Sequence, residues 1–276
     1  MSYKYVVGCG CSFLETHQPW FLSIPSERYV NLSKGGCGNE FIKHQLVFKI
    51  SELISDNVNP KDIFVAAQWT GISRIDLYVQ KGQTITPGSF HHDFKPTRLG
   101  SHVTVGEGIT PYRQDNSRGF IHSGGGNNWM PDWETKSFQD EFLINYFKHF
   151  ANDLDVIKSY FDRILFIQNL CKSLKIDYVM TNAWNPYEDE LGEERFESRH
   201  FDYLKRLIDL NHMIYVESDF KNVSTARLNK PNKHGGMWQY LIERDGINHE
   251  NAHPNVYGQK IWGEYIVDEL TKRKLI

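Results

Sequence analysis

The sequence has no long apolar run, few cysteines and no strong excess of charge of either sign. No stretch approaches the roughly 18 to 20 consecutive apolar residues that a membrane-spanning helix needs, and the short apolar run at the N-terminus does not predict a signal peptide. Four cysteines in 276 residues predict free thiols in a reducing compartment, not a disulfide framework. The formal net charge of -3 makes a nucleic-acid backbone a poor electrostatic partner. We therefore expect neither a membrane nor a nucleic acid among its partners.

The composition that remains is that of a folded α/β protein. Hydrophobic residues make up 40% and charged residues 24% of the chain, which argues against disorder. Strands are predicted at 3–7, 29–32, 62–67, 176–180 and 213–216. Helices are predicted after Asn39, along 154–171, over 201–210, and from Pro254, at a first helical position, towards the C-terminus. This alternation predicts a parallel sheet with right-handed crossovers, within a three-layer α/β/α sandwich of flavodoxin-like character.

The segment from about 83 to 133 breaks this pattern. It is rich in Gly, Pro, His, Ser and Asn, and a structureless loop of this length is uncommon in a compact domain. We interpret it as an insertion, with a short hairpin around 101–105, in a single domain that spans 1–276. Because it leaves the scaffold soon after the third strand, we expect it to wall one side of a substrate groove. The alternative is a decorative or oligomer-forming excursion.

Two segments near the N-terminus carry groups suited to catalysis. Ser12 follows the first strand, where Gly8 and Gly10 allow a sharp turn that exposes the hydroxyl. A phosphate loop is a weaker reading, because the chain has no GxxxxGK[ST] motif, and a plain turn serine is the simplest alternative. The second segment is 36–39, just before a helix, where backbone N–H groups can stabilise an oxyanion. An ordinary glycine-rich loop would look the same.

The third segment lies near the C-terminus. Glu250 precedes His253 by three residues, so the carboxylate can orient the imidazole, and the imidazole can act as general base towards a serine. A single histidine is more often a surface residue than a catalyst. The run His91-His92-Asp93 has no partner at metal-ligand spacing, so we expect neither a metal nor a cofactor.

Together these segments resemble the SGNH hydrolases, also called GDSL-type esterases. The family's Gly-Asp-Ser after the first strand reads Gly10-Cys11-Ser12 here. Its oxyanion-hole glycine corresponds to Gly36 within 31–39, and its Asp-x-x-His reads Glu250-x-x-His253. The continuation through 254–262 is similar to divergent members from phages and bacterial surface-polysaccharide loci.

The third block of the family departs most from this chain. The family carries Gly-x-Asn-Asp after the third strand, and the Asn side chain donates to the oxyanion. Here the sequence is Gln68-Trp69-Thr70-Gly71, which places Thr70 at the Asn position, with Gln68 as another donor from a different geometry. Loss of one oxyanion donor costs about 10²–10³ in kcat.

The resemblance implies a serine esterase mechanism with residues in defined roles. Ser12 would be the nucleophile, His253 the base and Glu250 the acid, with Asp245 as the second candidate for the acid. The N–H groups of Ser12 and Gly36 and the hydroxyl of Thr70 would form the oxyanion hole. We further expect substrate contacts from Asn39, Trp69 and Trp184.

The predicted activity is hydrolysis of O-acyl, in particular O-acetyl, esters on a carbohydrate or polysaccharide. The expected partner is thus an acylated carbohydrate, in the cytoplasm or on a virion. Two alternatives stay open: an O-acyltransferase that uses the same triad, and an inactive glycan-binding or virion structural protein of the same fold. An oligomer or a virion assembly also stays open.

Overall fold

The structure is a computed structural model that describes residues 2–35, 37–72, 74, 76–80, 97–98, 103–105, 118–122, 153–184, 202–218, 232–242, 244–248 and 253–276. Its strands are β1 (Tyr3–Cys9), β2 (Ser26–Asn31), β3 (Ile63–Trp69), β4 (Asp76–Gln80), β5 (Thr97–Arg98), β6 (Val103–Val105), β7 (Arg118–His122), β8 (Asp177–Asn182), β9 (Met213–Ile214), β10 (Val216–Ser218) and β11 (Asn232–Gly235). Its α-helices are α1 (Asn39–Ser55), α2 (Asp153–Leu174), α3 (Asp202–Lys205), α4 (Met237–Ile242) and α5 (Val256–Lys272), and 3-10 helices cover Trp20–Ser23 and Pro60–Asp62.

The main sheet is parallel in all but one strand. Its order is β6-β2-β1-β3-β8-β9, and β6 at the edge pairs antiparallel with β2. Counted in chain order, the five parallel strands follow 2-1-3-4-5, which is the flavodoxin-like order. The predicted parallel α/β sheet is therefore confirmed.

Both faces of this sheet are covered. Every residue of β3 is buried, and since successive side chains of a strand point to opposite faces, both faces of β3 meet packed atoms. Right-handed crossovers place α1 and α2 on one face. They place Trp20–Ser23 on the other face, where α5 packs so closely that a Cβ at Gly263 would lie 2.5 Å from the Trp20 carbonyl oxygen. These layers form the α/β/α sandwich.

The predicted strands in 3–7, 29–32, 62–67, 176–180 and 213–216 are all present, with ends moved by a few residues. Three local predictions are wrong. The helix over 201–210 is helical only in α3. Pro254 is not a first helical residue, because it forms a bridge with Ile247 and Asn255 caps α5 instead. The segment 103–105 joins the edge of the main sheet through β2, and among the described residues it pairs with no neighbouring strand of the insertion to form a hairpin.

The insertion is described only in part. Its strand β7 pairs antiparallel with β4 and β5 in a separate three-stranded sheet. Most of 83–133 lies outside the described residues, so its role as a groove wall and the single domain over 1–276 stay predictions. Among the helices that the structure describes, none is long and apolar enough to cross a membrane.

Candidate active site

Ser12 lies where ligands bind in sheets of this topology. Strands β2 and β3 flank β1 on opposite sides, and the crevice at the carboxyl ends of such strands is the usual binding place. Cys9 of β1 pairs with Ala67 of β3. Ser12 lies three residues after Cys9, and Thr70 lies three residues after Ala67. The register thus places the nucleophile segment and the third block at the same edge of the sheet.

His253 meets Ser12 at this edge. Its Nε2 lies 2.8 Å from the Ser12 Oγ, although the two residues are 241 positions apart in sequence. This is hydrogen-bond distance, and it joins a hydroxyl to an imidazole in the arrangement that serine hydrolases use to activate a serine. The structure therefore brings together two residues that the sequence had linked only through separate motifs.

A short antiparallel turn holds His253 in place. Its carbonyl oxygen accepts from the Asn248 N–H at 2.7 Å, and the Asn255 N–H donates to the Gly246 carbonyl at 2.9 Å. This turn packs onto the first turn of α5, where a Cβ at Gly258 would lie 2.0 Å from the Gly246 carbonyl oxygen. Only a glycine at position 258 allows that approach, so the glycine sets the distance between the turn and the helix.

Side chains from two other elements hold the Ser12 loop. The Asn31 amide at the end of β2 donates to the Leu14 carbonyl at 2.7 Å. The buried Gln259 of α5 donates its Nε2 to the Phe13 carbonyl, and its Oε1 accepts from the Trp20 N–H at 3.0 Å. The Phe13 ring packs edge-on to the His253 ring, with centroids 5.3 Å apart. Ser12 and His253 are thus held by one connected set of contacts.

Two of the three predicted oxyanion donors lie in the described residues. The Ser12 N–H donates to no acceptor there. The Thr70 hydroxyl is fully buried and has no hydrogen-bond partner among the described residues, so it is able to donate to a further acceptor. Gly36 lies outside the described residues. Its neighbour Gly35 is close to the site, since a Cβ at Gly35 would lie 3.6 Å from the Ser12 Cβ.

Gln68, the alternative donor, is less suited than Thr70. Its side chain is fully buried, and its Nε2 lies 3.4 Å from the Met237 Sδ, so the amide nitrogen already has a contact. The unpaired atom is the Gln68 Oε1, which accepts hydrogen bonds and cannot donate one to an oxyanion. The contacts thus favour Thr70.

The acid of the predicted triad is not placed. Glu250 lies outside the described residues, so its role stays a prediction. Asp245, the second candidate, is exposed, and its carboxylate has no hydrogen-bond or ion-pair partner within the described part of the chain. Its backbone carbonyl instead accepts from the Asn255 amide at 3.0 Å.

The three residues expected to contact substrate lie in different surroundings. Trp69 is 0% exposed, because the all-buried β3 carries its ring into the core, and its contact with substrate stays a prediction. Asn39 is 2% exposed, and its side chain accepts from the Thr70 N–H at 2.8 Å and donates to the Thr70 carbonyl at 3.0 Å. These bonds hold the third block to α1. Trp184 is half-buried beside the site, with its ring 5.4 Å from that of Phe13.

Two residues after β3 were not predicted to matter. The Arg74 guanidinium lies 4.8 Å from the Trp184 ring centroid and donates to the Cys37 carbonyl at 3.2 Å. The Asp76 carboxylate accepts from the N–H groups of Gly38 and Phe41 at the start of α1. No local pattern could reveal either contact, because the partners lie 35 to 110 residues away in sequence.

The cysteines near the site are buried thiols. Cys9, Cys11 and Cys37 are all free and buried, and burial raises the pKa of Cys9 and Cys37 well above the ordinary value. A raised pKa of this kind is typical of inert, structural thiols. Within the described ranges, no three His, Cys, Asp or Glu side chains cluster so that they can hold one.

Comparison with known proteins returns no relative. The chain matches no protein-family model, no curated protein and no solved structure. The geometry at the ends of β1 and β3 is therefore what bears on function.

Proposed function

We propose that this protein is a serine esterase of the SGNH type that hydrolyses O-acyl esters of carbohydrates. The observation that carries the proposal is the 2.8 Å contact between the Ser12 Oγ and the His253 Nε2. It lies at the carboxyl edge of a parallel sheet, where ligands bind in this topology. A protein that only binds glycans has no need of this pairing.

In the proposed reaction Ser12 attacks the ester carbonyl carbon while its proton passes to the His253 Nε2. The tetrahedral intermediate then collapses, its bond to the alcohol oxygen breaks, and His253 returns the proton to that oxygen. Water attacks the remaining acyl-enzyme with the same base, which releases the carboxylic acid and restores Ser12. Glu250 is proposed to hold the His253 Nδ1–H and to stabilise the imidazolium.

The negative oxygen of the intermediate needs donors that are already in place. The Ser12 N–H and the Thr70 hydroxyl are proposed for this task, together with Gly36. Support comes from the buried Thr70 hydroxyl and from the Ser12 N–H, neither of which has a hydrogen-bond partner among the described residues. The SGNH family uses an Asn amide at this position, whereas this chain has the Thr70 hydroxyl. We therefore expect a modest rate of ester hydrolysis and not its complete absence.

A carbohydrate is proposed as the alcohol part of the ester for two reasons. One is the resemblance to the SGNH hydrolases, and the other is the row of aromatic side chains along one side of the site, which we call the aromatic wall. Phe13 and the half-buried Trp184 pack together beside His253, and aromatic rings of this kind can cover a sugar face. An acyltransferase would use the same first step and differ only in the acceptor of the acyl group.

The experiment is hydrolysis of 4-nitrophenyl acetate by the wild type, Ser12→Ala and, as matched control, the exposed Ser55→Ala. Hydrolysis is expected for the wild type and the control, with at least about a 10³-fold loss in Ser12→Ala. A fluorophosphonate should label Ser12, as read by peptide mass spectrometry. No labelling and no hydrolysis by the wild type would contradict the proposal.

Product analysis with an added sugar separates the two enzyme classes. Free acetate as the main product supports the hydrolase. Acetylated sugar at the expense of acetate would replace the hydrolase by the acyltransferase.

A further inference from the structure

A row of three rings and a guanidinium runs outward from the proposed base. The His253 ring centroid lies 5.3 Å from that of Phe13, and the Phe13 centroid lies 5.4 Å from that of Trp184. The Arg74 Cζ lies 4.8 Å from the Trp184 centroid, which is the distance of a cation–π contact. Arg74 therefore stands at the far end of the aromatic wall of the Ser12 site.

The charge of Arg74 is not neutralised by the acid nearest in sequence. Asp76 directs both carboxylate oxygens to α1, where they accept from the N–H groups of Gly38 and Phe41 at 2.7 Å each. Among the described residues, the Arg74 guanidinium makes one hydrogen bond, to the Cys37 carbonyl at 3.2 Å. A guanidinium has five N–H donors, so most of them are left for another group.

Two other charged side chains near the site, those of Lys34 and Glu15, neutralise each other. Lys34 and Glu15 form an ion pair of 2.7 Å, and the second Glu15 oxygen accepts from the Gly35 N–H. Arg74 is thus the one described cation beside the site that has neither an acidic partner nor a place in an ion pair.

We propose that Arg74 binds an anionic group of the substrate, so that the preferred esters carry a carboxylate, sulfate or phosphate close to the ester bond. This inference deepens the proposed function and rests on it. The planar guanidinium suits such a group because it can donate two parallel N–H bonds to one anion. Contact with Trp184 and the Cys37 carbonyl holds its plane before the substrate arrives, which lowers the entropy cost of binding.

The test compares two pairs of esters that differ in one charge. The first pair is acetylated methyl glucuronide and acetylated methyl glucoside, with the anion on the sugar. The second pair is the 4-nitrophenyl monoester of succinate and 4-nitrophenyl butyrate, with the anion on the acyl group. The ratio of kcat/KM within each pair is measured for the wild type, Arg74→Gln, Arg74→Lys and Arg28→Gln.

Arg28 supplies a matched control. It also lies over an aromatic ring, 5.5 Å from the Tyr5 centroid, and also donates one hydrogen bond through Nη1, to the Tyr5 hydroxyl. It sits in β2, three residues before the carboxyl end, about 10 Å from the site edge. Its replacement removes the same charge and the same kind of contact elsewhere.

The wild type is expected to favour the anionic member of at least one pair by about tenfold or more in kcat/KM. Arg74→Gln should abolish that preference through KM, Arg74→Lys should keep part of it, and Arg28→Gln should keep all of it. The preference should also weaken with added salt. The pair that shows it identifies which side of the ester carries the anion.

Equal ratios for the wild type and Arg74→Gln in both pairs would overturn the inference. If no ester is hydrolysed at all, the esterase proposal fails. The proposed role of Arg74 in binding an anion is then tested by ligand binding alone. In that event methyl glucuronide should bind the wild type more tightly than Arg74→Gln by titration calorimetry, whereas methyl glucoside should not distinguish them. Equal binding of methyl glucuronide to both proteins would overturn the inference without reference to activity.

Discussion

Gln259 joins helix α5 to the loop that carries Ser12. Its side-chain amide donates to the Phe13 carbonyl across 246 residues of sequence and accepts from the Trp20 N–H at 3.0 Å. Phe13 follows Ser12, and α5 begins three residues after His253. The same glutamine therefore sets the position of the Ser12 loop relative to the helix that follows His253.

Gln259→Met should lower kcat of ester hydrolysis by about tenfold or more with little change in KM, because a small displacement of a reacting group is costly. The variant should also lose stability, since buried backbone groups are left unpaired, at about 1–3 kcal/mol each. Steady-state kinetics and urea unfolding measure the two effects.

Gln168 offers the control for Gln259, as it makes the same two kinds of bond away from the site. Its Nε2 donates to the Leu207 carbonyl at 2.8 Å, and its Oε1 accepts from the Asp209 N–H at 2.7 Å. Gln168→Met should match the loss of stability and keep kcat close to that of the wild type. An equal fall of kcat in both variants would mean that Gln259 acts through stability alone.

Thr70→Val tests the hydroxyl that replaces the family's amide. Because this buried hydroxyl has no partner in the described residues, its removal should leave the free energy of unfolding unchanged or raise it. kcat should fall by about 10²–10³ if the hydroxyl donates to the oxyanion. Thr181→Val is the opposite case, since that hydroxyl donates to the Ile214 carbonyl at 3.2 Å, and it should cost stability while sparing kcat. Full activity of Thr70→Val would remove Thr70 from the oxyanion hole.

Two substitutions, each of which replaces a carboxylate by an amide, can identify the acid of the proposed triad. Glu250→Gln should lower kcat strongly, by about 10²–10⁴. Asp245→Asn should change little, because the Asp245 carboxylate is exposed and has no partner in the described residues. A strong loss in Asp245→Asn alone would reverse the assignment.

Glu40 at the start of α1 should make stability depend on acid pH. Partial burial by itself raises the pKa of this carboxyl, but hydrogen bonds from His44, Lys43 and Arg163 outweigh it and hold the pKa well below the ordinary value of 4.5. A pKa lower in the folded than in the unfolded state stabilises the fold above about pH 4.5, and the gain is lost as pH falls further.

The free energy of unfolding of the wild type and Glu40→Gln should therefore differ most near neutral pH, and the difference should shrink towards about pH 3. The exposed Glu27→Gln serves as reference for a surface carboxylate. A difference between wild type and Glu40→Gln that stays constant across this range would show that the charge of Glu40 is not what stabilises α1.

The order of strands and helices could be predicted from sequence because burial leaves a local pattern. Within the predicted strand 62–67, every residue from 63 to 67 is apolar, since β3 is covered on both faces, and this run indicates a central strand of a parallel sheet. Segments whose ends depend on a distant partner were predicted less well. Pro254 looked like a helix start, but its pairing with Ile247 and the Asn255 cap place the start two residues later.

The sequence by itself determined the sheet, its main helices and the motifs that contain Ser12 and His253, because periodicity and glycine turns act between near neighbours. Only the tertiary structure decided that these two side chains come within 2.8 Å of each other, that Trp69 enters the core and that Arg74 reaches Trp184. Such contacts depend on how helices and loops pack across the sheet. Packing is a property of the whole chain, and no local pattern encodes it.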